Sequence, residues 1–221
     1  ALKGSDGADT VKRALALGAQ PKSGSRAQEA LSVLHGLQDH IQLLTYPGEM
    51  GADAAIAAGF SPEVIGHIEP GDTTPADTEE AALSMKEHGV DLILFAGGDG
   101  TARNICNAVG DLIPVLGIPA GVKIHSGVYA VTPTAAGEMV RMLVQGDMVS
   151  ISGAEVRDID ETAFRKGVVK AKYYGELRVP VEGGLVQQVK SGGREVEELV
   201  LQDIAAFVVE NMIEDVFYLM G

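Results

Sequence analysis

The chain has 221 residues, with 17 Lys and Arg against 31 Asp and Glu and a formal net charge of −14. That acidity, with no Trp and five Phe, argues against a nucleic-acid surface, which needs basic patches and stacking rings; any polyphosphate site must draw on locally clustered basic groups and a metal ion. The single cysteine, Cys106, excludes an intrachain disulfide and fits a reducing compartment. Without a signal peptide or an apolar stretch of the ~20 residues that span a bilayer, the chain reads as cytoplasmic.

Helical and strand patterns alternate through the first 145 residues, the signature of a parallel sheet with crossover helices. Val11, Ala14, Leu15 and Gly18 mark a first helix. Ser25 with Gln28 reads as the capping box of a second, with Leu31, Leu34 and Leu37 facing inward. A strand over 41–45, an Ala-rich helix over 50–59 and a strand over 64–68 follow. Thr74-Pro75 starts a helix that runs to about His88, with Gly89 as its stop. Next come the apolar strand Leu92-Ile93-Leu94-Phe95-Ala96, a helix over 102–109 and a strand over 113–118. Thr132-Pro133 opens a helix with Ala136, Met139, Val140, Leu143 and Val144 on one face.

After Gly146 the character changes. Residues 155–159 and 169–181 alternate apolar and polar side chains, and Gly183-Gly184 suggests a hairpin, so the region reads as antiparallel β. An amphipathic helix through Val196, Leu199, Val200, Ile204, Phe207 and Val208 leads into the strand 215–220. The expected fold is α/β: a Rossmann-like parallel-sheet domain over 1–148 and a β-rich domain over 149–221, with a linker near 146–153. Because the chain stops at Gly221, where another strand-to-helix turn would begin, it is expected to be a fragment with residues missing at both ends.

Gly97-Gly98-Asp99-Gly100-Thr101 lies between an apolar strand and a helix start. Unpaired N–H groups and the helix dipole make such a turn an anion site, and its glycines let backbone approach a phosphate. A carboxylate would repel that phosphate, so Asp99 is expected to bind a divalent cation or to take a proton from an attacking hydroxyl. The turn is neither the GxGxxG fingerprint nor a Walker A loop. A second loop, Gly117 to Gly127, follows the next strand at the same sheet edge. Its Lys123 offers positive charge, Gly121 shapes the loop, and His125 and Ser126 stand where a nucleotide or acceptor would bind. Asn104 and Asn107 either reach an adenosine or ribose or face solvent. Arg103 is the nearest other cation, Arg157, Asp158 and Asp160 read as strand-surface charges, and Cys106 reads as core. The five His show no metal-ligand spacing.

Gly97 to Thr101 resembles the GGDGT turn shared by NAD kinases, diacylglycerol and sphingosine kinases and 6-phosphofructokinases. Gly117 to Ser126 ("GIPAGVKIHS"), the run Gly127-Val128-Tyr129-Ala130, the helix start at Thr132, and "EVRDIDETAFRKG" and "YYGELRVP" are similar to the ATP-NAD kinase-like branch that includes the acetoin-catabolism X proteins. The resemblance implies that Asp99 is the catalytic carboxylate and a ligand of Mg²⁺. It also implies that Gly97, Gly98, Gly100 and Thr101 shape the phosphate site, with Asn104, Gly121, Lys123, His125 and Ser126 around the nucleotide. Two departures are Ala102-Arg103 where Leu usually follows the pentapeptide, and Ile105 where lipid kinases carry Glu after Asn104.

The expected function is phosphoryl transfer from ATP or polyphosphate, with Mg²⁺, to a small-molecule hydroxyl, foremost the adenosine ribose 2′-OH of NAD. Expected partners are NAD and ATP and a second copy of the chain in a homo-oligomer, with neither nucleic acid nor membrane. A non-catalytic nucleotide-binding accessory protein and a kinase of a lipid or sugar hydroxyl are the alternatives.

Overall fold

A computed structural model of the chain describes residues 16–18, 20–121, 124–159 and 171–187. The chain divides into two compact units, Ala1–Val189 and Lys190–Gly221, and all described residues lie in the first. The expected helix around Val11, the helix over 196–208 and the strand 215–220 fall outside the described residues.

The elements in order are α1 (Ser23–Ser32), β1 (Leu44–Thr45), α2 (Ala52–Ala57), β2 (Glu63–Val64), α3 (Pro75–Glu87), β3 (Ile93–Gly97), α4 (Asp99–Val109), β4 (Val115–Pro119), α5 (Pro133–Gln145), β5 (Ser150–Ile159) and β6 (Ala171–Val181). β1 pairs with β2 and β3 with β4, both in parallel, whereas β5 and β6 are antiparallel. Alternating helices with parallel strand pairs make this an α/β fold.

β3 is short, apolar and aligned with β4 from Ile93↔Val115 to Gly97↔Pro119, so the turns that follow both strands emerge side by side. β4 is extended on its other side by residues 128–130: Gly117 N–H donates to the Val128 carbonyl at 2.8 Å and Ala130 N–H to the Gly117 carbonyl at 2.9 Å. A Cβ at Gly117 would strike the Tyr129 ring, and that ring meets Phe95 edge to face, centroids 5.4 Å apart. The main core gathers Ile105 and Val109 of α4, Val115, Leu116 and Ile118 of β4, Met139 of α5, and Val156, Leu177 and Val179 of the hairpin.

Several boundaries differ from the sequence reading. Lys22, not Ser25, is the N-cap of α1; the Ser25 hydroxyl donates to the Lys22 carbonyl at 2.9 Å from inside the first turn. The strand expected over 41–45 keeps only its last two residues, because 38–40 forms a 3₁₀ turn that Ile41 N–H closes onto the Gln38 carbonyl. β2 stops at Val64, where the Tyr46 ring occupies the space beside Gly66, which turns at φ +70°. Gly183 and Gly184 (φ +52° and +77°) do not close β5 onto β6. They return residues 185–187 against 129–131, with Gln187 N–H donating to the Tyr129 carbonyl at 2.8 Å. The helix starts at Thr74 and Thr132 are as expected: Asp77 accepts from Thr74 N–H at 2.7 Å, and Thr132 Oγ1 accepts from Ala135 N–H at 3.0 Å. The Thr74 hydroxyl and then its N–H hold the Asp77 carboxyl below the usual carboxylate range.

α1 crosses α5 closely at Gly137, where a Cβ would overlap the Ala30 carbonyl oxygen and the Val33 side chain. In a free helix Ala is better than Gly by about 1 kcal/mol, but here the backbone of α1 blocks it. Gly137→Ala should therefore lower the unfolding free energy by roughly 1–3 kcal/mol, read as a reduced urea midpoint at constant slope.

Candidate active site

Helix α4 begins at Asp99 itself, three residues before the expected start, with Gly98 as its N-cap. The whole second half of the glycine turn is thus the first helical turn, and Asp99 stands where the dipole favours a negative charge.

Both carboxylate oxygens of Asp99, whose side chain is 8% exposed, accept N–H groups of the second loop. Oδ1 accepts from Ser126 N–H at 3.0 Å. Oδ2 accepts from His125 N–H at 2.8 Å and lies 3.0 Å from His125 Nδ1. The two turns are joined elsewhere too. The Gly97 carbonyl accepts from Ala120 N–H and Gly121 N–H at 3.0 and 3.1 Å, and the Gly98 carbonyl accepts the Tyr129 hydroxyl at 2.6 Å. Burial above all, then the charges of Asp99 and Asp158, push the Tyr129 phenol far up, so it remains a donor.

The glycines divide by role. A Cβ at Gly97 would collide with the Thr101 side chain, and one at Gly121 would press on Gly98 Cα. Gly97 is thus small for the Thr101 side chain and Gly121 for the backbone of Gly98, whereas a Cβ at Gly98 would rest at contact distance, 3.4 Å, from Gly121 Cα. Gly100 differs: a Cβ there meets nothing within 4 Å, and its φ is not positive. Asn104, one turn further along α4, is 8% exposed and so does not face solvent as a surface residue. Its amide makes no hydrogen bond to a described residue, yet Thr45 Oγ1 is the only fully enclosed side-chain polar atom without a partner among those residues. The Asn104 amide therefore retains access.

Three sequence-level expectations change. Ser126 is 1% exposed, and its hydroxyl donates to the Arg157 carbonyl at 2.8 Å and accepts from Arg157 N–H at 3.0 Å. It ties the loop to β5, its only O–H donor spent on that backbone. Asp158 is not a surface charge: it is 3% exposed and takes the Arg103 guanidinium at 2.7 Å, while Arg103 also lies over the Tyr174 ring at 5.5 Å. Arg103 therefore joins α4 to the hairpin rather than facing a phosphate. Arg157 pairs with Glu155. Cys106 is partly buried against Glu176, and burial raises its thiol pKa, as the core reading expects. Asn107 contacts Glu79 at 3.4 Å. Lys123 and Asp160 lie outside the described residues. Tyr129 is the residue that pattern reasoning missed; its only signal is Gly117 on the neighbouring strand, which no periodicity reveals.

Among the described residues no group of three or more His, Cys, Asp and Glu gathers as a metal site. N–H donors take three of the about four lone-pair sites of the Asp99 carboxylate, leaving one on Oδ1. No helix among the described residues is long and apolar enough to cross a membrane.

A glycine turn feeding a helix N-terminus, at the carboxyl edge of parallel strands, is the place where α/β folds offer backbone N–H groups to a ligand. The family model described as the ATP-NAD kinase N-terminal domain matches residues 15–148, and the chain belongs to that family. Its family is thus one of kinase-type phosphotransferases, with ATP as donor and nucleotide substrates. Searches of the curated proteins and of the solved structures gave no match.

Asp99→Asn turns an NH₂ group toward N–H donors and removes the charge they face. Hydrogen bonds to a charged group contribute about 1.5–3 kcal/mol each, so the variant should lose roughly 2 kcal/mol or more of stability. A chemical-denaturation midpoint within error of wild type would show that the loop does not depend on this carboxylate.

Proposed function

We propose that the protein transfers the γ-phosphoryl group of ATP to a hydroxyl of a small molecule, foremost the adenosine ribose 2′-OH of NAD. One observation carries the assignment of the site: Gly100 is a glycine without a demand from its own chain. The Thr101 side chain accounts for Gly97 and the Gly98 backbone for Gly121, whereas the space beside Gly100, at the N-terminus of α4, is open. A phosphate approaching there meets N–H groups and the positive end of the helix.

In this reading Gly97, Gly98, Gly121 and Thr101 hold the floor of the phosphate site in shape. Lys123 brings the positive charge, Asn104 meets the nucleoside, and Asp99 with His125 faces the acceptor. The catalytic carboxylate remains Asp99. A Mg²⁺ ion, with Asp99 as the candidate protein ligand, would supply positive charge to the phosphates of the donor. Transfer is in-line, with charge neutralised by Mg²⁺, backbone N–H groups and Lys123. The β5–β6 hairpin is taken as the beginning of the β-rich region expected over 149–221.

Gly100→Ala is the direct test, because the folded chain has room for the methyl group and helix propensity favours it. Stability should hold or rise by about 0.5–1 kcal/mol, while kcat/KM for ATP should fall at least ~10-fold, equivalent to about 1.4 kcal/mol. The assay pairs ATP or polyphosphate with NAD, a sphingoid base and sugars. Unchanged kcat/KM in a stable Gly100→Ala variant would remove Gly100 from the site. Saturable ATP binding by wild type without phosphorylated product from any acceptor would favour the accessory-protein reading.

A further inference from the structure

The two parallel strand pairs, β1 with β2 and β3 with β4, are separate sheets. The carbonyls of Leu43 and Thr45 each accept at 2.8 Å, from Glu63 N–H and Ile65 N–H. Successive residues of a strand turn their backbone groups to opposite edges, so the N–H and carbonyl of Leu44 point away from β2. Ile93 N–H donates to the Pro114 carbonyl at 3.0 Å, and by the same alternation Leu94 and Ala96 point theirs away from β4. A cavity of about 600 Å³ reaches in from the amino ends of the strands, lined by Ile41, Leu44, Leu92, Val140, Leu143 and Val144.

Helices close this space above and below. On one face Leu31, Leu34, Ala55 and Phe60, in and just after α1 and α2, pack against Leu43 and Leu94 together. Tyr46, three residues from Leu43 and hence on the other face, packs with Ala81 of α3. Strand edges on two sides and apolar helices on the other two make a slot shaped for one extended chain. Such a chain would pair the backbone groups that both edges present.

The connections show where that chain comes from. α2 links β1 to its parallel neighbour β2, and α1 packs beside α2 on the same face. Parallel crossovers are right-handed, so a strand that reaches β1 through α1 must lie on the side of β1 away from β2. That side is the slot, yet no strand precedes α1 among the described residues. Filling it gives one sheet with the new strand at its centre, between β1 and β3, the order of a doubly wound fold.

We infer that an apolar segment of about five residues, ahead of Ala1 in the full-length polypeptide, inserts as a parallel strand between β1 and β3 and feeds α1. Residues 1–15 contain no run of five apolar side chains, and Leu17 after them is 75% exposed, so the strand lies further upstream. Both its faces are covered, so its sequence is continuously apolar rather than alternating. Parallel strands end at one edge of the sheet, so the residues that follow it emerge beside the Gly97 turn and border the candidate site. The inference stands independently of the kinase reading.

Amide exchange read by mass spectrometry tests it, on the full-length polypeptide beside the chain that begins at Ala1. In the longer chain about five consecutive amides ahead of Ala1 should exchange at least ~100-fold more slowly than in an unstructured peptide. Peptides covering 43–46 and 92–97 should exchange at least ~10-fold more slowly there than in the shorter chain. Anilinonaphthalene sulfonate should fluoresce with the shorter chain, whose slot is open, and not with the longer one. Upstream residues that exchange freely overturn the inference, whatever the shorter chain does. If the full-length protein is then a dimer with 92–97 protected, the slot belongs to a second copy. A protected upstream segment that leaves 43–46 and 92–97 unchanged lies elsewhere and overturns it too, as does an encoded start at Ala1.

Discussion

The site depends on one carboxylate receiving three N–H groups. Asp99 begins helix α4, and its partners His125 and Ser126 lie 26 and 27 residues further along the chain. A buried charge is tolerated only when it is bonded, and here the bonding groups are the backbone and ring of the neighbouring loop. The carboxylate therefore does two structural tasks together: it completes the start of a helix and fixes where the second loop must lie. This also answers the question the sequence raised about a negative charge in an anion-binding turn. The charge is met by donors on its own side, so it does not face an incoming phosphate as a free anion would.

Around that anchor the remaining contacts repeat the same connection by other means. Gly97 and Gly98 carbonyls accept from the second loop and from Tyr129, Ser126 fastens that loop to β5, and Arg103 fastens α4 to Asp158. The bulk charge of −14 is thus compatible with phosphate chemistry, because the acidic groups nearest the turn are individually paired.

Much of the architecture was legible because it is written in short-range chemistry. An apolar run followed by glycines marked β3 and its turn, and Thr-Pro pairs marked the starts of α3 and α5. Asp99, the Gly117–Gly127 loop and their adjacency followed from strand order alone. Most of the misses share one cause, a partner distant in sequence; the 3₁₀ turn before β1 and the Lys22 cap of α1 are the local exceptions. β1 and β2 are cut short by a 3₁₀ turn and by the Tyr46 ring, α4 starts early because residues 125 and 126 bond to Asp99, and Asp158 is buried because Arg103 reaches it. Ser126 looked like a ligand contact since Ser types permit it, and only the fold shows its hydroxyl engaged by Arg157. Tyr129 had no local pattern to reveal it, since its task is to reach a carbonyl 31 residues away.

The backbone contact between Gly98 and Gly121 has a consequence for selectivity. With no side chain between the turns, the floor of the site is amide and Cα hydrogen only, a surface with no rotamers to rearrange and no chemical character that distinguishes one phosphorylated molecule from another. In the proposed kinase, such a floor would grip a phosphate whatever the phosphate is attached to. In that reading, discrimination among acceptors would fall to side chains around the floor, with Asn104 and His125 the candidates. A chain could acquire a new substrate by changing those walls while leaving the floor untouched.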